Sequence, residues 1–221
     1  MLRKNGEQGF SIIELVGVMT LIGIMSAISI FYLNTNKKLL AAEEQAIRLS
    51  DILQEARQKA FTQKQVMRVE INNTTRKIRI IEEKDPAMAT DDLVVREMDF
   101  YGLDKIRFET NPTNVTSVPT DTSPVPKAVF QSSMHPLSLG NSVATIRFLR
   151  NGLVANAGTV DAIGTGAVVG GVTVYVWKPT TISANTSDVV KAITISGGSG
   201  NIRMWEYRFP SNNWFDVRGI N

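Results

Sequence analysis

Hydrophobic and polar residues follow three different rhythms along this chain. Residues 1–9 are polar and carry Arg3 and Lys4. From Phe10 to Leu33 nearly every residue is apolar or small, and Glu14 is the sole charge. A helix over this stretch would be roughly 36 Å long, against a bilayer core of about 30 Å. From Asn34 to about Lys64 the pattern becomes amphipathic. Leu39, Ala42, Ala46, Leu49, Leu53, Ala56 and Ala60 recur three and four apart, which lines one apolar seam along a helix. Neither Pro nor Gly interrupts residues 24–64, so one continuous helix is predicted across both segments. A coiled coil is the competing reading of the seam, but a β-rich region follows at once.

After Gln65 the period drops to two. Met67, Val69 and Ile71 alternate with Arg68 and Glu70, and Asn72-Asn73-Thr74-Thr75 predicts a hairpin turn before a return strand over Lys77–Glu82. Further strands are expected at Leu93–Phe100, Lys105–Glu109, Lys127–Gln131, Ala144–Leu149, Val172–Trp177, Val189–Ile195 and Asn201–Arg208. Thr110–Pro126 is rich in Thr, Pro, Asn and Ser and is expected to be a mobile surface loop. Ala155–Gly171, rich in Gly, Ala and Val, reads as a loose loop or a weak strand. The fold class predicted is α+β, a long N-terminal helix on an antiparallel β-domain.

Composition narrows the chemistry. The 221 residues are 43% hydrophobic and 20% charged with a net charge of +3, a folded rather than a disordered composition. The pI near 9.2 rests on a small excess of Lys and Arg and does not by itself imply nucleic-acid binding. The absence of cysteine excludes disulfides, thiol catalysis and Cys-ligated metals. His135 is the only histidine, in a segment, Ser133-Met134-His135-Pro136, that reads as a plain loop. A His-rich zinc site is therefore excluded, and a Ser-His-Asp triad would have to use His135. Asp91-Asp92 and Glu82-Glu83 are paired acids, but neighbours on a strand point to opposite faces, so they read as solvated surface charge. Gly197-Gly198-Ser199-Gly200 lacks the Lys and the following helix of a phosphate loop and reads as a turn between strands. No catalytic set and no cofactor site is found, and an enzyme is not expected.

The decisive string is Gly9-Phe10-Ser11-Ile12-Ile13-Glu14-Leu15. Preceded by a short basic leader and followed by an uninterrupted apolar helix, it resembles the type IV prepilin motif over residues 6–33. The resemblance implies a type IV pilin fold and a division into leader 1–9, transmembrane and assembly half-helix 10–33, amphipathic half-helix 34–64 and β-rich soluble domain 65–221. It implies cleavage after Gly9 by a prepilin peptidase and N-methylation of the new N-terminal Phe10. It makes Glu14 the acidic residue at the fifth position of the mature chain, an assembly residue. A carboxylate inside a membrane helix costs about 2.5–3.5 kcal/mol on insertion scales, so Glu14 should have a partner, and the Phe10 ammonium of a neighbouring subunit is the expected one. Ser11 stands where Thr is common in the family. Phe31 stands where many members have a helix-kinking proline, so the helix is expected to stay straight there, with Gly17 and Gly23 as close-packing points.

Ile146-Arg147-Phe148-Leu149-Arg150-Asn151-Gly152, with the strands that follow, is similar to the Phe-x-x-x-Gly region of the minor pseudopilin H and FimT-like group. Members of that group pack two β-sheets on the helical spine. The expected protein is a structural subunit of a type II secretion pseudopilus or a type IV pilus. Its expected place is the bacterial inner membrane, single-pass, with the C-terminal domain outside the cytoplasm, as the positive-inside tendency of Arg3 and Lys4 also suggests. Expected partners are other pilin or pseudopilin subunits, the prepilin peptidase and methyltransferase, and the inner-membrane assembly platform. Two alternatives stay open. Arg203, Arg208 and Arg218 lie near Trp205, Tyr207 and Trp214, a mixture that suits DNA contact and a role in DNA uptake. A membrane-anchored β-domain that never assembles is the other. Binding of secreted cargo is a further partner the resemblance allows.

Overall fold

The computed structural model describes residues 11–84, 91–100, 106–108, 110–119, 130–133, 135–154, 171–181 and 184–217, and of residues 31–39 the backbone alone. One helix, α1 (Ile12–Gln63), opens the chain, as the unbroken run without Pro predicts. Nine strands follow among the described residues: β1 Val66–Asn72, β2 Lys77–Glu83, β3 Leu93–Asp99, β4 Gln131–Ser132, β5 Ser142–Phe148, β6 Val172–Pro179, β7 Ser187–Ile195, β8 Ile202–Arg208 and β9 Asn213–Asp216. The chain divides into two compact units at Leu39/Leu40.

In the first unit every described side chain of the helix is exposed, and Ile12–Ile30 is long and apolar enough to cross a membrane. Ser11 starts the helix, its carbonyl accepting from the amides of Glu14 (3.0 Å) and Leu15 (3.1 Å). The polar side chains of the stretch bond inward: Thr20 Oγ1 donates to the Val16 carbonyl (2.6 Å) and Ser29 Oγ to that of Met25 (2.8 Å). Each hydroxyl so placed spares the apolar face an unpaired donor. The helix continues through Phe31, as the absence of proline predicts, and at Gly17 and Gly23 an added Cβ would meet open space.

The second unit is α+β. Its strands form two wholly antiparallel sheets, β3-β2-β1-β5-β4 and β6-β7-β8-β9. The predicted seam is the core-facing side of α1: Ala42, Ala46, Leu49, Leu53, Ala56 and Ala60 are fully buried, and Ile52 joins them. They share one cluster with Met67, Val69 and Ile71 of β1, Ile78 and Ile80 of β2, Ile146 and Phe148 of β5, and Val174, Ile193 and Ile202 of the second sheet. Small Ala residues let backbones approach, and the β-branched residues fill the space between. The β1–β2 turn is an Asx turn, with Asn72 Oδ1 accepting from the Thr74 and Thr75 amides (both 3.0 Å).

A second cluster lies on the outer face of the β6–β9 sheet. Tyr175, Trp177, Val190, Ala192, Tyr207 and Trp214 are buried there under Val115 and Val118. The part of Thr110–Pro126 that is described is thus pinned rather than loose. Trp177 Nε1 donates to the Thr110 carbonyl and Trp214 Nε1 to that of Thr116 (both 2.9 Å). The Val118 amide donates to Tyr175 Oη (3.3 Å), and Asn114 Nδ2 to the Ser187 carbonyl (2.8 Å). Buried indoles require acceptors, and this backbone supplies them.

Other expectations change in detail. Of Lys105–Glu109, the described residues contribute one bridge, Arg107 to Trp177. Of Lys127–Gln131, the described part reaches only into the two-residue β4. Ala155–Gly170 lies outside the described residues. The larger corrections concern charge. Arg68 and Glu70, the charged positions that alternate with Met67, Val69 and Ile71 along β1, are fully buried, and every other residue of that strand is buried too. Of the two acid pairs expected on the surface, Glu83 is buried and the Asp92 side chain is 2% exposed. His135 is not a plain loop histidine, because it too is buried.

Candidate functional site: an exposed apolar helix and a buried charge cluster

The predicted processing residues Gly9 and Phe10 lie outside the described residues, as does Arg218. Glu14 sits in the first turn of α1 and is exposed amid Ile12, Ile13, Leu15 and Val16, all large and exposed. A long run of exposed apolar side chains is unstable in water and must be covered by lipid or protein.

Arg203 and Arg208 are exposed on β8, five residues apart, and so project from opposite faces of the sheet. Arg208 lies over the Phe215 ring at 4.3 Å. Tyr207 and Trp214 belong to the buried aromatic cluster, and Trp205 Nε1 donates to Thr194 Oγ1 (2.9 Å). The strand does not gather the arginines and aromatics into one exposed patch.

The sequence pattern did not reveal a buried charge cluster on the first sheet. Arg68 of β1 stands directly opposite Arg147 of β5. Two guanidinium groups so placed repel each other unless anions sit between them. Glu83 of β2 does so: it accepts from Arg68 Nη1 in a short contact and from Arg147 Nε at 3.0 and 3.3 Å. Glu70 Oε1 accepts from Arg68 Nε (2.9 Å), and Asp92 Oδ2 lies 2.8 Å from Arg68 Nη2. Arg147 Nη2 is 3.1 Å from His135 Nε2. Because a guanidinium only donates, Nε2 must accept, which puts the imidazole proton on Nδ1. That Nδ1 lies 3.9 Å from Asp92 Oδ2.

Burial alone would lower the Arg68 pKa, but Glu70, Glu83 and Asp92 outweigh it and hold the group above its ordinary value. Burial raises the Asp92 carboxyl, against the pull of Arg68. Burial lowers His135, and the charges of Arg68 and Arg147 push in the same direction. The cluster ties β1, β2 and β5 to the residue before β3 and to the segment entering the short Pro136–Ser138 helix. Its arginines pair with Glu70, Glu83 and Asp92, although Glu70 Oε2 and Asp92 Oδ2 are buried without a hydrogen-bond partner. Among the described residues no group of three or more His, Cys, Asp or Glu side chains is placed to hold a metal ion. The cluster is a clasp for the sheet's outer face.

No protein-family model matches the chain, and neither a curated protein nor a solved structure matches it.

Proposed function

We propose that this chain is a non-enzymatic, minor structural subunit of a type IV pilin-like filament, either a type II secretion pseudopilus or a type IV pilus. The observation that carries the reading is the exposed apolar helix Ile12–Ile30 with one carboxylate, Glu14, in its first turn. The prepilin-like string Gly9-Phe10-Ser11-Ile12-Ile13-Glu14 supplies the rest. In this reading the chain enters the bacterial inner membrane as a single span with its β-rich unit outside the cytoplasm. Prepilin peptidase cuts after Gly9, and Phe10 becomes the methylated N-terminus. The helix then leaves lipid for the flanks of neighbouring pilin-like helices on the assembly platform. Lipid and protein are both apolar, so the exchange is nearly neutral for Leu and Ile and turns on the polar group. Pairing Glu14 with a neighbour's Phe10 ammonium offsets the cost of a lone buried carboxylate and sets the axial stagger.

The two-sheet domain on the amphipathic half of α1 agrees with the architecture that the Phe-x-x-x-Gly resemblance implies. A DNA-contact role draws no support from β8, where Arg203 and Arg208 face apart. The test is Glu14→Ala in a cell with its own filament machinery, scored by the chain's presence in sheared filaments or in cross-linked subunit ladders. Membrane levels near wild type with loss from filaments are expected. Incorporation at the wild-type level would refute the assembly role.

A further inference from the structure

The C-terminal turns of α1 border an open groove of about 430 Å³, lined by Gln54, Arg57, Gln58, Phe61, Asn151 and Gly152. Two glycines shape it. Gly152 has φ +78°, and a Cβ there would touch Arg57 and Phe61 at 3.7 Å. Gly200 has φ +63°, and a Cβ there would fall 2.3 Å from the Gly152 carbonyl oxygen and 2.8 Å from Arg57 Nε. The guanidinium of Arg57 is therefore clamped between two turns, donating Nε to the Gly152 carbonyl (3.3 Å) and Nη2 to that of Ser199 (2.9 Å).

Both acceptors are neutral. Among the described residues no carboxylate pairs with Arg57, and no acidic residue lines the groove. Other donors converge on the same space. Asn151 Oδ1 accepts from the Leu153 amide (3.1 Å), which leaves its own NH₂ for a ligand. Gln58 lends a side-chain amide to the lining, while Gln54 Nε2 is taken by Ser50, leaving its Oε1 as an acceptor. Phe61 walls one end, 56% exposed, with Lys64 Nζ 4.2 Å from its ring centroid. A preorganised cation, amides that both donate and accept, and one exposed ring form a small-scale match to a peptide.

We propose that this groove is a docking site for an acidic peptide segment of a partner protein. A Glu or Asp carboxylate meets Arg57 and the Asn151 amide. The peptide backbone pairs with Gln54 and Gln58, and an adjacent apolar side chain lies on Phe61. Charge complementarity favours this occupant over a nucleic acid, whose repeating phosphates call for a track of cations where the groove lining has one. The site does not depend on the filament reading.

The experiment uses the full chain in detergent micelles. It is applied to an array of octapeptides carrying one Glu and one Leu at every mutual spacing, beside a matched array with Gln for Glu. Glu peptides should bind about tenfold or more tightly than their Gln counterparts. Asn151→Asp keeps the acceptor for the Leu153 amide but sets a negative charge in the groove, and should weaken binding by about tenfold or more. Gln58→Lys should tighten it. Equal binding to both arrays, no binding, or Asn151→Asp binding as wild type would overturn the proposal. Retention of oligo-thymidine in place of the peptides would overturn it in favour of nucleic acid.

Discussion

Replacing Arg68 with Gln separates the buried charge cluster from the rest of the fold. The variant keeps much of the side chain's bulk but leaves Glu70 and Asp92 without their closest cation, while Glu83 retains Arg147. Removing one partner of a buried ion pair costs about 3–5 kcal/mol, because the other charge stays in low dielectric uncompensated. Arg68 faces three carboxylates and one of them keeps a cation, so the whole of that range is expected at pH 7. For a domain of this size the loss corresponds to about 6–20 °C in Tm. Urea unfolding of the full chain in detergent, followed by circular dichroism, measures it. Near pH 4 the stranded carboxylates take up protons, and the difference from wild type should shrink. Adding Glu83→Gln to Arg68→Gln should cost less than the two single losses combined, since the direct Arg68–Glu83 contact is lost only once. A loss under about 1 kcal/mol at pH 7, typical of exposed pairs, would refute the account of a dry, mutually compensated cluster.

Four other outcomes follow from the structure. His135 has a lowered folded-state pKa, so its contribution is present above its ordinary pKa of 6.5 and is lost as pH falls through the folded value; His135→Gln should flatten the decline of the urea midpoint below pH 6.5. Asp92 has the opposite sign: its raised pKa gives stability that is present below 3.8 and lost as pH rises through the folded value, a slope that Asp92→Asn should remove from the same titration. Gly200→Ala forces a Cβ to 2.3 Å from the Gly152 carbonyl at a positive φ, and should cost about 1–3 kcal/mol and dislodge Arg57 from its two carbonyls, measurable by thermal unfolding. Leu53→Ala empties a fully buried site of the seam and should cost about 2–5 kcal/mol in the same assay.

The elements governed by a local period were legible in the sequence. The seam from Ala42 to Ala60 specifies both the helix and its buried face, since three-four spacing has no other use at that length. Alternation around Met67, Val69 and Ile71 placed β1 and β2 almost to the residue. Alternation does not say what covers the polar positions of a strand. Arg68 and Glu70 are buried because Asp92 and His135, far apart in the chain, fold over that face. No local pattern announces a cover supplied from elsewhere. A faint signal was present: an Arg and a Glu on one strand and an Arg on the strand it pairs with can neutralise one another across a sheet. The segment after Thr110 was misread through its composition. Its Val115 and Val118 are buried on the aromatic face, and the indoles of Trp177 and Trp214 demanded acceptors that some backbone had to provide. The candidate assembly segment was visible at once, because an unbroken apolar run with one carboxylate needs no tertiary context to stand out.

The most direct test of the filament reading is the mass and N-terminal sequence of the chain recovered from membranes of a cell with its own prepilin peptidase. The reading predicts a chain that begins at Phe10 and is one methyl group heavier than the bare peptide. A chain that still begins at Met1, or that is cut beyond Leu33, would contradict it.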